Sequence, residues 1–176
     1  SPDGTKMASA NAKGGLFLYD FNTQTGIVSN QIQLSIPVNL YAYGVEFSPN
    51  SQLLYVHASN DFFSIGNEDQ IPSNHTSSLI QYNLLDPNVA NSGITIDNRN
   101  LYRGALQLGP NGKIYRALSS TYDIGLPFLG VINNPDSRDN PGYVHNGVNL
   151  SPHFSTDLFR FLITFIISVR KIGKYY

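Results

Sequence analysis

The side chains able to do acid–base, nucleophilic or metal chemistry are few and scattered along the chain. The four histidines, His57, His75, His145 and His153, show no H-E-x-x-H or comparable spacing, the arrangement that brings two imidazoles to one metal ion. His57 sits in the apolar run Tyr55-Val56-His57-Ala58, and all four read first as surface or hydrogen-bonded structural histidines. Serine is plentiful, but no G-x-S-x-G elbow presents one as a nucleophile, so a triad would need distant partners. Glu46, Asp61, Glu68, Asp69 and Asp123 are the carboxylates that a fold could bring to a central cavity. Glu46 stands out because it lies inside a strand-like run, and its plainer reading is a cross-strand polar residue. Asn60, Asp61, Asn67, Glu68 and Asp69 offer oxygen ligands of the kind calcium takes, without the regular D-x-D-x-D-G spacing. Residues 133–142, Asn-Asn-Pro-Asp-Ser-Arg-Asp-Asn-Pro-Gly, carry turn chemistry. The sequence therefore assigns no catalytic residue, no cofactor and no metal.

Binding without catalysis needs other residue types. Tyr41, Phe62, Phe63 and Tyr122 fall in or beside segments that read as loops, where rings can stack on sugar faces. Rings so placed more often pack between structural layers; the alternative makes these four the candidate ligand-facing residues, for a glycan or a protein. No glycine-rich loop follows a strand and opens a helix, so nucleotide binding has no anchor. With 11 Lys and Arg against 12 Asp and Glu, the net charge of -1 provides no basic field for nucleic acid. The chain has no cysteine, which removes disulfides and thiolate sites. The apolar run at 161–169, between Arg160 and Arg170, is much shorter than the roughly 20 residues of a membrane-spanning helix.

The elements that must position these residues are announced by a recurring turn. Ser1-Pro2-Asp3-Gly4, Ser48-Pro49-Asn50-Ser51 and Gly109-Pro110-Asn111-Gly112 each precede a strand-like run. Proline presets φ at the first central turn position, Asp or Asn suits the next, and glycine accepts the left-handed conformation. Ser51 is the weakest copy, since it would carry a Cβ into that region. Around the turns the pattern predicts a strand entering (43–47; 102–108), one leaving (53–57; 113–118), then a third and a fourth. The third strands resemble one another: Leu16-Phe17-Leu18-Tyr19-Asp20, Leu79-Ile80-Gln81-Tyr82-Asn83 and Phe128-Leu129-Gly130-Val131-Ile132-Asn133. Four short strands every ~40 to 50 residues is the period of a propeller blade.

The expected fold is all-β: a partial β-propeller of about three four-stranded antiparallel blades in an open arc, at 1–40, 41–100 and 101–150. The first blade lacks its entering strand, and the second carries a polar insertion at 59–77 that reads as a surface loop without an added strand. Residues 1–156 form the partial propeller. Residues 157–176 depart from the pattern and read as a divergent tail, from a frameshifted or truncated reading end, with a terminal apolar strand or helix as the alternative. An open arc leaves the faces of its terminal blades in water, so the missing blades are expected from a longer parent chain.

Five stretches together carry a family resemblance: Ser1-Pro2-Asp3-Gly4-Thr5-Lys6-Met7, Gly15-Leu16-Phe17-Leu18-Tyr19-Asp20-Phe21, Tyr43-Gly44-Val45-Glu46-Phe47-Ser48-Pro49, residues 102–110, and Val144-His145-Asn146-Gly147-Val148-Asn149-Leu150. In this ordered series the chain resembles the propeller region of large Bacteroidetes surface proteins exported by the type IX secretion system, often with gliding-motility-type C-terminal sorting domains. Residues 150–156 also resemble the Leu-Ser-Pro-x-Phe-Ser-Thr stretch that follows the propeller there. The resemblance implies a secreted or cell-surface location and a non-catalytic binding, adhesion or scaffold module. The competing expectation is a propeller enzyme of the lactonase or hydrolase type with a metal in its channel.

Overall fold

The structure, a computed structural model, describes residues 1–12, 14–60, 63–64, 67–68 and 70–156. Among the described residues thirteen strands form three antiparallel sheets and one small hairpin. The first sheet comprises β1 (Lys6–Asn11), β2 (Gly15–Phe21) and β3 (Val28–Gln33) in that order. The second is β4 (Tyr41–Phe47), β5 (Leu53–Ser59), β8 (Ser77–Asn83) and β9 (Ile94–Arg99). The third is β10 (Leu106–Leu108), β11 (Ile114–Ser119), β12 (Gly125–Ile132) and β13 (Tyr143–Asn149). Each strand pairs with its predecessor in the sheet, so the chain meanders three times. The second and third sheets have the four strands expected, and the first has three.

The recurring turns hold the geometry their residues imply. Gly4 and Gly112 adopt φ of 75° and 74°, and Ser51 adopts 61° in the same position. Ser51 is kept in this costly region while its hydroxyl accepts a hydrogen bond from the Asp3 amide, 3.1 Å, tying the second sheet's turn to the first. The turns are not all of one length. The Ser1 amino group donates to Lys6 O and the Ser48 amide to Leu53 O, but the Gly109 amide donates to Lys113 O. The third turn is shorter by a residue, and in a strand of period two that sends the following side chains to the opposite face. Arg116 thereby points toward the second sheet.

The sheets stack face to face, with the second in the middle. Leu54, Val56, Ala58, Ile80 and Tyr82 pack against Leu16 and Leu18 of the first sheet, and Leu34 and Leu40 of the connecting segment close the cluster. On the opposite face Leu53, Tyr55 and Leu79 pack against Leu106, Ile114 and Ile132 of the third sheet. Every residue of β5 is buried, as a strand covered on both faces requires. Its sequence, Leu-Leu-Tyr-Val-His-Ala-Ser, accordingly has no exposed polar row, and its polar residues His57 and Ser59 are enclosed with the rest.

Three details differ from the sequence expectation. The insertion adds no strand to its sheet, but it forms the hairpin β6 (Phe63–Ser64) and β7 (Asn67–Glu68) and a 3-10 turn, Pro72–Asn74. The entering strand of the third sheet is regular only over Leu106–Leu108, because Tyr102 N–H leaves the ladder register to reach Ser119 O, 2.9 Å. Pro127 lies inside β12, a central strand, where it falls within the irregularity between the pairs Ala117↔Leu129 and Ser119↔Gly125, the kind of position at which a sheet tolerates proline. Among the described residues no helix is long and apolar enough to cross a membrane. The tail at 157–176 lies outside the described residues.

Candidate functional site

A guanidinium sealed between the second and third sheets organises one end of the molecule. Arg116, from β11, is fully enclosed. Its Nε donates to His57 Nδ1 (2.9 Å), one Nη to Asp97 Oδ2 (2.8 Å) and to the Tyr143 hydroxyl (3.1 Å), and the other Nη to Ser77 Oγ (3.0 Å). Burying a cation costs several kcal/mol unless its donors are matched; four donors here meet partners on β5, β9, β13 and β8. Because a guanidinium offers donors only, His57 Nδ1 must accept, and the imidazole hydrogen sits on Nε2, which donates to Tyr102 O at 2.8 Å. Burial, reinforced by the neighbouring Arg116 charge, pushes the His57 pKa well below its ordinary value. The neutral ring thus connects Arg116 to the segment that enters the third sheet.

That segment is pressed close to the second sheet. A Cβ on Gly44 would collide with the Gly104 carbonyl, and one on Gly104 with the Ala117 carbonyl and the His57 ring. Only glycine permits this approach. Next to Gly44, the register moves from Ala42↔Ala58 to Gly44↔His57, which makes Tyr43 the extra residue of a bulge and re-aims it. The Arg103 guanidinium carbon lies 5.3 Å from the Tyr43 ring centroid and 5.2 Å from that of Tyr102, within cation–π range. Tyr102 meets Tyr122 edge-on, with centroids 6.1 Å apart, and His75 edge-on at 5.1 Å. The β11–β12 loop carrying Tyr122 is fixed to the insertion: Thr121 Oγ1 donates to Gln70 Oε1 (2.7 Å), and Gln70 Nε2 donates to Asp123 Oδ2 (2.9 Å). Three separate segments therefore present Tyr43, Arg103 and Tyr122 at one end of the sheets, over a buried Tyr102.

Two of the four ring candidates lie at this end. Tyr122 is 44% exposed, and Tyr41, 46% exposed, opens β4 opposite Ser59, where the insertion departs. Phe62 lies outside the described residues, as does the side chain of Phe63. Of the carboxylates, Glu46 accepts the Leu108 amide (2.8 Å) and the Phe47 amide (2.9 Å), joining the second sheet to the third, and burial raises its pKa. Asp123 is engaged by Gln70, while Asp61 and Asp69 lie outside the described residues. Among the described residues no three His, Asp or Glu side chains converge on a point that could hold a metal ion. In the 133–142 loop, Asp136 accepts the Asn50 amide and Arg138 donates to Gln81 and to Ser92 O, so this turn segment straps the third sheet to the second.

Sequence reasoning missed Tyr43, Tyr102, Arg103 and Arg116. The available signal was the glycine directly after Tyr43 and after Arg103, which marks close backbone approach at the start of each entering segment. No family model matches the chain, and no curated protein matches it.

Proposed function

We propose that the chain is a segment of a β-propeller that acts as a non-catalytic binding module of a larger exported surface protein, taking a carbohydrate at the end occupied by Tyr41, Tyr43, Arg103 and Tyr122. The observation that carries this reading is the convergence of rings and a guanidinium from three separate segments on one rigid platform. Rings offer apolar faces to sugar C–H groups, and the arginine supplies donors to hydroxyls. Three successive meanders stacked face to face, with the first strands of the second and third sheets packed on each other, support the propeller reading. The exported location is supported by the ordered motif series from Ser1 to Leu150.

Titration calorimetry with malto-, cello-, xylo- and chito-oligosaccharides tests the site. Binding of one of these is expected, and Tyr122→Ala is expected to weaken it about tenfold, about 1.4 kcal/mol, with an unchanged circular dichroism spectrum. No heat with any of the four sugar types, or equal affinity in the variant, sinks the reading.

A further inference from the structure

Away from the ring platform, the backbone itself holds a group able to react. Two asparagines precede glycine, Asn111-Gly112 and Asn146-Gly147, and one aspartate does, Asp3-Gly4. Asparagine is among the chemically labile side chains, and a glycine amide, with no Cβ beside it, has the easiest approach to the side-chain carbonyl carbon of the residue before it. In a folded chain that approach depends on how the side chain, the glycine N–H and the backbone between them are held.

Two of the three steps are held by their turns. At the third turn the Gly112 amide donates to Gly109 O (3.1 Å), Asn111 Nδ2 donates to the Tyr115 hydroxyl (2.9 Å), and Asn111 Oδ1 accepts the Lys113 amide (3.3 Å). At the first turn the Gly4 amide donates to Ser1 O (3.0 Å), and Asp3 Oδ1 accepts from the Ser1 hydroxyl and from the amide and hydroxyl of Thr5. Reaction at either place requires these bonds to break first.

Asn146-Gly147 is placed differently. The ladder between β12 and β13 runs Ile132↔Tyr143 and Val131↔Val144, then resumes at Leu129↔Val148, so His145, Asn146 and Gly147 have Gly130 alone opposite them. Surplus residues in a bulge leave the regular ladder. Asn146 and Gly147 are both exposed, and among the described residues the Asn146 carboxamide meets no hydrogen-bond partner.

We propose that Asn146 is a site of spontaneous covalent modification, converted through a cyclic imide with Gly147 to aspartate and isoaspartate, while Asn111 is spared by its turn. The Gly147 nitrogen attacks Asn146 Cγ; the N–Cγ bond forms, the Cγ–Nδ2 bond breaks, and Nδ2 leaves as ammonia carrying the proton lost from the Gly147 amide. Water then opens the imide. Cleavage at Cγ restores the ordinary main chain with an aspartate side chain, and cleavage at the main-chain carbonyl leaves isoaspartate, with the chain continuing through Cγ. Both products place a negative charge on β13. Isoaspartate also adds a carbon to the main chain of the strand whose Tyr143 hydroxyl accepts from Arg116 and whose Val148 packs on the Ala117 and Leu129 cluster.

Peptide mapping by mass spectrometry of the full chain, held in mildly alkaline buffer with and without urea and sampled over days, tests this. In the folded chain the peptide containing Asn146 is expected to gain the mass of an amide-to-acid exchange and to become a substrate for isoaspartyl methyltransferase. Asn111 is expected to convert about tenfold more slowly, since at least one turn hydrogen bond must break first. In urea, where the turn is lost, the two are expected to convert at similar rates. A folded chain in which Asn146 stays intact, or in which Asn111 converts as fast as Asn146, overturns the proposal. So does a rate difference that persists unchanged in urea, which would assign the selectivity to local sequence.

Discussion

Against the first sheet the middle sheet sets Leu54, Val56, Ala58, Ile80 and Tyr82; against the third it sets Tyr55, His57, Leu79 and Gln81. The first contact is apolar with a polar rim, where the Tyr82 hydroxyl donates to Ser35 O at 2.6 Å. The second encloses a guanidinium, a carboxylate and an imidazole, and adds the strap at 133–142. Apolar surfaces attract in proportion to area and tolerate small rotations. A planar fork bonded to four strands accepts one orientation. The end of the molecule that presents Tyr43, Arg103 and Tyr122 is assembled across the directional contact, where relative placement of two sheets decides whether the rings converge.

Arg116→Ala should have the largest effect on this contrast. It removes the donor that fixes the His57 ring and leaves a cavity beside Asp97, which keeps Arg99 Nε at 2.8 Å, so the cost is expected toward the lower end of the about 3–5 kcal/mol for breaking a buried pair. Urea unfolding followed by circular dichroism, at fixed protein concentration, measures it; a loss under about 1 kcal/mol would mean the network behaves as a surface ion pair. Leu54→Ala, in the apolar contact, should cost about 2–5 kcal/mol through lost transfer energy and a cavity. That loss should be the same at pH 5 and pH 7, since the cluster's one titratable side chain, Tyr82, is pushed up from an already alkaline value by burial.

The smallest effect separates the two contacts most cleanly. His57 has a folded pKa well below its unfolded 6.5, so below that pH the unfolded chain binds a proton that the folded chain refuses. Stability from this residue is fully present above about pH 6.5 and falls by about 1.4 kcal/mol per pH unit as the medium is acidified toward the folded pKa. Half-buried His145, also lowered by burial, acts in the same direction. Arg116 and Arg99 add positive charge around these rings and Asp97 negative charge. The expected readout is a denaturation midpoint that drops between pH 6.5 and 5, with the drop reduced in His57→Gln. An unchanged slope in that variant would assign the acid sensitivity elsewhere.

Much of the architecture was legible because its determinants are local. Proline, asparagine and glycine mark the three turns, and the third strands repeat. The buried network was not legible, because a single residue omitted between Gly109 and Lys113 reverses which way Arg116 faces, and its partners come from four strands far apart in sequence. An arginine in an amphipathic run ordinarily points to water; the shortened turn sends this one inward. Tyr41 and Tyr122 were visible as loop rings, whereas Tyr43 and Arg103 read as strand residues, since a bulge and two close-packed glycines act only once the sheets have met.

β5 has neither a free edge nor a free face: β4 and β8 bond both of its sides, and the outer sheets cover the rest. Its amides reach solvent through opening of the whole assembly, so hydrogen exchange there reports the global free energy, while β3, exposed along its length, exchanges by local fraying. Because one strand is the inner wall of both clusters, neither outer sheet has a complete core of its own. The three sheets are consequently expected to melt together as one cooperative unit, although each is a separate hydrogen-bonded ladder, and a single coincident transition by near- and far-UV circular dichroism checks it.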